Sequence, residues 1–164
     1  MALIVHINDK ISHSGGVEGY IDQLLQSQRD QGWSFLWLGL VRTGSQVEVE
    51  CSDSNFSWSG ELCDLQNSPA VLRLVAVGGL FHVHSLSDPI LMDLLFAIAP
   101  VVRTIHEPRI FCPGQGKYWA KAESICTVPC GLHCLVHAYT KQCCNRHPKR
   151  LIRQYLNTRY ELKT

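Results

Sequence analysis

The sequence predicts an α/β protein, a Rossmann-like parallel sheet with flanking helices, plus a cysteine-rich loop. Three observations carry this. Short apolar strand-type runs alternate with helical periodicity between residues 3 and 106. A Gly-Gly turn joins the first strand to the first helix, in the order of a βαβ unit. After Cys112 the alternation stops, and six of the eight cysteines fall between Cys112 and Cys144.

The elements read in order as follows. Leu3-Ile4-Val5-His6-Ile7 is a strand, and Ser12 to Gly16 is a polar turn. Val17, Tyr20, Ile21, Leu24 and Leu25 recur at i, i+3, i+4, i+7 and i+8, which places them on one helix face. Gly32 marks the helix end. Trp33 to Leu40 is the next strand. Residues 41–69 are polar, with a short half-exposed strand at Val47 and Val49. Ala70 to Val77 suits either a helix or a strand, and Gly78-Gly79 ends it. Leu80 to Ser85 is a strand on which His82 and His84 share a face. Asp88-Pro89 opens a helix with an apolar stripe of Leu91, Leu94, Leu95 and Ile98. Pro100 ends it, and Val101 to Ile105 is a buried strand that delivers His106-Glu107. Prolines and glycines between 113 and 131 exclude a long regular element, and a basic helix starts near Pro148.

A length of 164 residues suits one domain with a cysteine-rich insertion over about 112–144. Hydrophobic content of 46% and charge of 18% exclude a disordered chain. The net charge of +1 sets up no global field for nucleic acid, so no nucleic-acid partner is expected. Seven Lys or Arg against one acid, Glu161, lie between Lys141 and Thr164. That basic end suits phosphate, an anionic membrane surface or a plain solvated helix face. The longest apolar run, Leu91 to Val102, is broken by Asp93 and is shorter than the ~20 residues needed to cross a bilayer. Residues 1–7 carry no secretory signature. A cytoplasmic protein is expected, with peripheral membrane contact left open.

Four groups of residues invite chemistry. Gly15-Gly16 lets backbone amides approach a phosphate or sugar at a helix N-terminus, or simply makes a tight connection. His82, His84 and Asp88 suggest either a metal-dependent hydrolase or cleft and packing histidines. His106-Glu107 sits where open α/β sheets bind ligands, and imidazole can donate or accept there. Cys112, Cys126, Cys130, Cys134, Cys143 and Cys144 can enclose a structural zinc, remain free thiols or form disulfides.

Taken together, Gly15-Gly16-Val17-Glu18, His82-Val83-His84-Ser85, Thr104-Ile105-His106-Glu107, Cys112-Pro113, Cys126, Pro129-Cys130-Gly131 and Cys134 form an ordered set. This set resembles the N-terminal, acceptor-side domain of glycosyltransferase family 4, the retaining GT-B enzymes. The resemblance implies sugar transfer from a nucleotide-sugar to a glycan or lipid-linked acceptor hydroxyl, with no cofactor required for catalysis. It implies that His106 is the catalytic cleft histidine. Gly15, Gly16, Glu18, His84 and Glu107 then face substrate. A zinc held among Cys112, Cys126, Cys130, Cys134 and Cys143 would be structural. No two glutamates stand eight apart, so the family's donor-side Glu-x7-Glu motif is not among these residues. The donor-binding domain is therefore expected in a longer protein or a partner chain. The alternative is a non-catalytic carbohydrate- or partner-binding module.

Overall fold

The computed structural model describes residues 3–12, 14–52, 57–65, 67–69, 71, 79–86, 88–106 and 108–163. It divides into two compact units, Met1–His106 and Glu107–Thr164.

The first unit runs β1 (Leu3–Asn8), α1 (Gly16–Asp30), β2 (Ser34–Thr43), β3 (Gln46–Cys51), β4 (Ser57–Glu61), α2 (Leu62–Leu65), β5 (Leu80–Val83), α3 (Pro89–Ile98) and β6 (Val101–Arg103). They build a six-stranded sheet in the order β4-β3-β2-β1-β5-β6. β2, β1, β5 and β6 pair in parallel, as the alternating pattern predicts. The polar stretch after residue 41 is more regular than expected. β2 continues to Thr43, turns over Gly44-Ser45 with Gly44 at φ 65°, and returns as β3. β4 adds a third antiparallel strand, so one edge of the sheet is a meander. β3 alternates exposed and buried residues because only one of its faces meets the core. On β4, the Trp58 ring lies directly over Gly60.

The helices begin and end where local chemistry demands. Gly15 adopts φ 135°, a conformation that a side chain resists, and α1 starts at the next residue. Gly32, at φ 73°, lets the chain turn away at its far end. Asp88 caps α3 by accepting from the N–H groups of Ile90 (3.0 Å) and Leu91 (3.1 Å), and Pro89 occupies the first turn. Residues 70 and 72–78 lie outside the described residues; Val71 is buried.

Register decides what faces what. Ile7 pairs with Leu38 and Val83, whereas His6 pairs with Trp37 and His82. Side chains alternate along each strand, so Val5, Ile7, Leu36, Leu38, Phe81 and Val83 share one face. That face meets Leu65, Val71 and Leu95 around a small wholly apolar cavity. The other face carries Ile4, His6, Asn8, Phe35, Trp37 and His82. α1 covers it with Ile21 and Leu25, which pack on Trp37. Each of these buried aliphatic side chains contributes about 1.5–3 kcal/mol. β6 is shorter than the predicted Val101–Ile105 strand, and it is not fully buried: Val102 and Ile105 are about half exposed. It ends the sheet order, with a paired strand on one side only among the described residues.

The second unit holds a two-stranded ribbon of β7 (Tyr118–Trp119) and β8 (Ser124–Ile125), then α4 (His133–Thr140) and α5 (Pro148–Glu161). α5 is the expected basic helix; its Leu151 is buried, while Ile152 and Leu156 remain exposed. α4 was not legible in the sequence. Four non-glycine residues in this unit, Gln115, Lys117, Glu123 and Gln142, take left-handed conformations. Side-chain and backbone bonds hold the loop, among them Lys117 Nζ to the Val128 carbonyl and the Cys126 N–H to the Lys117 carbonyl, both 2.7 Å. Gly114 packs directly on the Cys143 carbonyl oxygen. A methyl group at 114 meets rigid backbone, so Gly114→Ala should lower stability by about 1–3 kcal/mol. Thermal unfolding of the variant tests this, and an unchanged midpoint would show that the contact is not tight.

Candidate functional site

The face of the sheet beneath α1 carries a cluster of four histidines. β1 contributes His6, β5 contributes His82, and the residues just past β5 and β6 contribute His84 and His106. A central parallel strand is normally apolar on both faces. His6 and Asn8 break that rule, and both are fully buried. Asn8 serves the backbone: its Oδ1 accepts from the Ser85 N–H and its Nδ2 donates to the Lys10 carbonyl. His6 has no such local duty.

The imidazoles form a hydrogen-bonded chain. His6 Nε2 lies 2.9 Å from Gln28 Oε1, reached from α1. His6 Nδ1 lies 3.0 Å from His84 Nε2, and His84 Nδ1 lies 3.1 Å from His106 Nε2. An amide oxygen only accepts, so neutral His6 carries its proton on Nε2 and offers a lone pair on Nδ1. His84 Nε2–H then donates to His6, and His106 Nε2–H donates to His84. His82 stands beside this chain with its Nε2 2.7 Å from Thr104 Oγ1. The ring centroid of His82 is 4.3 Å from that of His84 and 5.0 Å from that of His6. Tyr20, on α1, sets its ring edge-on to His84 and His106 at 5.9 and 5.0 Å.

Burial and crowding keep the cluster neutral. Burial, which outweighs the opposing Gln28 bond, holds His6 at about 4, with nearby His82 adding to the depression. Burial followed by the neighbouring His82, His6 and His106 holds His84 at about 3. Burial and His106 also lower His82.

The residues expected to carry chemistry divide into two groups. His84, His82 and His106 do come together. Gly16 is one helical turn before Tyr20, about 6 Å along the axis, so His84 and His106, which meet Tyr20, lie towards the glycine end of α1, whereas His6 reaches Gln28 near its other end. Glu18 is buried beside that turn, its carboxylate folded against Gly15 and 4.0 Å from Lys10 Nζ. Glu107 lies outside the described residues. Asp88 does not join His82 and His84: its carboxylate caps α3 and pairs with Arg42 at 2.7 Å. A site built on His82, His84 and Asp88 is therefore corrected, with His6 in the place given to Asp88. Sequence reasoning missed His6, Gln28 and Tyr20. The polar residues in β1 signalled His6, and the stripe of α1, which holds Tyr20 and continues at Gln28, signalled the other two.

All eight cysteines are unpaired in this structure, two in the first unit and six in the second. Cys112, Cys126, Cys134 and Cys143 line one small pocket with His137. His137 Nδ1 is buried there without a hydrogen-bond partner among the described residues. Burial and neighbouring thiols push Cys130 up to about 11 and Cys144 to about 12. Among the described residues, His6, His82 and His84 are the one group of three potential ligands whose donor atoms lie within 4.8 Å of one another. No helix among the described residues is long and apolar enough to cross a membrane.

The depressed imidazoles set a pH dependence. Unfolded histidines take up protons near 6.5, whereas folded His6 and His84 do so near 4 and 3. The unfolded chain thus binds more protons in between, and stability falls as pH drops from 6.5 towards 3. It is fully present above 6.5. Urea midpoints of metal-free protein between pH 7.5 and 4 should show this fall, and His84→Asn should flatten it.

No protein-family model, curated protein or solved structure matches this chain.

Proposed function

We propose that this chain supplies the acceptor-side half of a retaining GT-B glycosyltransferase, with a nucleotide-sugar and an acceptor hydroxyl as its substrates. One observation carries the reading: the His84–His106 pair stands past the carboxyl ends of two adjacent parallel strands, beside the glycine-led N-terminus of α1. Open α/β sheets bind ligands at that end of their strands. His106 is partly exposed and held by His84, so its ring is fixed for hydrogen bonding to a sugar hydroxyl. Tyr20 is 41% exposed and offers an aromatic face beside it. Gly16 leaves open space for a phosphate at the helix N-terminus, whereas the space beside Gly15 is filled by the Glu18 carboxylate. Transfer itself requires the second wall of the cleft, because preorganisation around the reacting sugar needs both sides.

The reading is tested by ligand-observed NMR of this chain with a panel of nucleotide-sugars and glycoside acceptors. Binding of at least one acceptor is expected, and His106→Ala should weaken it on the order of tenfold or more, the scale of a hydrogen bond to a fixed polar group. Acceptors that bind the variant equally well, or a panel that gives no binding at all, would sink the proposal.

We further infer that the cysteine loop holds a structural zinc. Cys112, Cys126, Cys134 and Cys143 line one pocket with His137, whose Nδ1 has no partner among the described residues; no three of these donor atoms lie within 4.8 Å of one another, so the loop closes on the ion as it binds. Thiolates with an imidazole nitrogen are a zinc donor set. Metal analysis should find zinc that is lost in Cys134→Ser, together with a lower unfolding midpoint. Equal zinc content in the variant would remove the inference.

A further inference from the structure

We propose that His6, His82 and His84 form a binding site for a borderline divalent cation of the Zn²⁺ class, separate from the cysteine loop. Each ring is oriented on one nitrogen by a partner outside the trio: His6 by Gln28 (2.9 Å), His82 by Thr104 (2.7 Å) and His84 by His106 (3.1 Å). One nitrogen from each ring lies within 4.8 Å of the others. Metal-bound histidines characteristically make this second hydrogen bond, which fixes the ring and selects the nitrogen that binds.

The spacing fits the ion. His6 Nδ1 and His84 Nε2 are 3.0 Å apart. Two nitrogens bound tetrahedrally at 2.0–2.1 Å stand about 3.3–3.4 Å apart, so this pair needs a shift of only a few tenths of an ångström, while His82, within 4.8 Å, closes in to complete the set. The tautomers argued above put one proton between His6 and His84, where the metal would sit. His82 already leaves Nε2 to Thr104, so its Nδ1 is the nitrogen available to the ion. Three protein ligands leave the fourth tetrahedral position for water or a ligand, and the incompletely buried His82 marks the open side.

Loading this site has a consequence at His106. Metal on His84 Nε2 moves that ring's single proton to Nδ1. His84 then donates to His106 Nε2 where it previously accepted from it, and the His106 proton moves to Nδ1. Each imidazole keeps one proton, so none is gained or lost. The ion thus reverses the His84–His106 hydrogen bond by relocating protons, and it sets the tautomer of the residue assigned to face sugar. The metal site itself stands independently of the sugar-transfer reading.

The test is ¹⁵N NMR of the full chain labelled with [¹⁵N]histidine and titrated with Zn²⁺ at neutral pH, with metal analysis alongside. His6 Nδ1 and His84 Nε2 should shift as ligated nitrogens, and His106 Nε2 should change from protonated to unprotonated. His82→Ala should lose one equivalent of zinc that Cys134→Ser retains. Gln28→Leu leaves all three ligands in place and should weaken binding by about tenfold, the lower end of such outer-partner effects. It guards against a His82 variant that fails to fold. Unchanged His6 and His84 resonances at saturating Zn²⁺, or equal zinc affinity in His82→Ala and Gln28→Leu, would overturn the proposal. Sugar binding is read in a separate experiment, so either reading can fail while the other stands.

Discussion

The in-register parallel pairing of β1 with β5 is the constraint on which the rest of the first unit depends. It sets His6 against His82 and Ile7 against Val83. A slip of one residue would turn His6 and Asn8 towards α3 and expose Val5 and Ile7 to the polar side. The apolar residues of both strands hold the register, and the register then brings together histidines that are 76 positions apart in the chain. The cluster is therefore a product of core packing on the opposite face.

Burying His6 and His84, with His82 and His106 half-buried beside them, has a cost that the structure meets in two ways. Every described ring nitrogen in the chain from Gln28 to His84 has a partner, so no lone pair or N–H in that run is stranded in the core. His6, His82 and His84 also stay neutral, first because burial disfavours a charge and then because the neighbouring rings would repel it. Gln28 matters more than its place on a helix suggests. As an acceptor at the end of the chain it sets the direction of every hydrogen bond out to His106.

Much of this was legible in the residues. The i, i+3, i+4 stripe located α1, Asp88-Pro89 marked the start of α3, and the alternation of elements predicted parallel strands. The spacing of His82 and His84 placed them on one face without any knowledge of the fold. His6 was different, because its neighbours depend on which strand lies beside β1, and sequence periodicity carries no register between distant strands. Gln28 continues the apolar stripe of α1, four residues past Leu24 and three past Leu25, but a polar side chain there reads as the end of the stripe until the helix is docked over His6. α4 was hidden because Pro129 and Gly131 stand just ahead of it and its cysteine and histidines suggest a loop. The strand at Val47 and Val49 was expected, but β4 escaped because the serines and glycine of Ser57–Glu61 read as loop. The glycosyltransferase reading rests on ordered motifs and on where His84 and His106 stand.

The edges of the sheet bear on how the chain behaves in company. An open edge offers unpaired backbone groups to any strand that approaches. Here β6 spans only three residues, too few to template a stable ladder. At the other end β4 is five residues long, ends in Glu61, and flattens a tryptophan over its own glycine. Beside it, Glu48 and Glu50 of β3 point away from the core. Negative charge and brevity together discourage strand exchange between copies. A sheet that shelters a polar cluster at its centre is thus finished at its borders against aggregation.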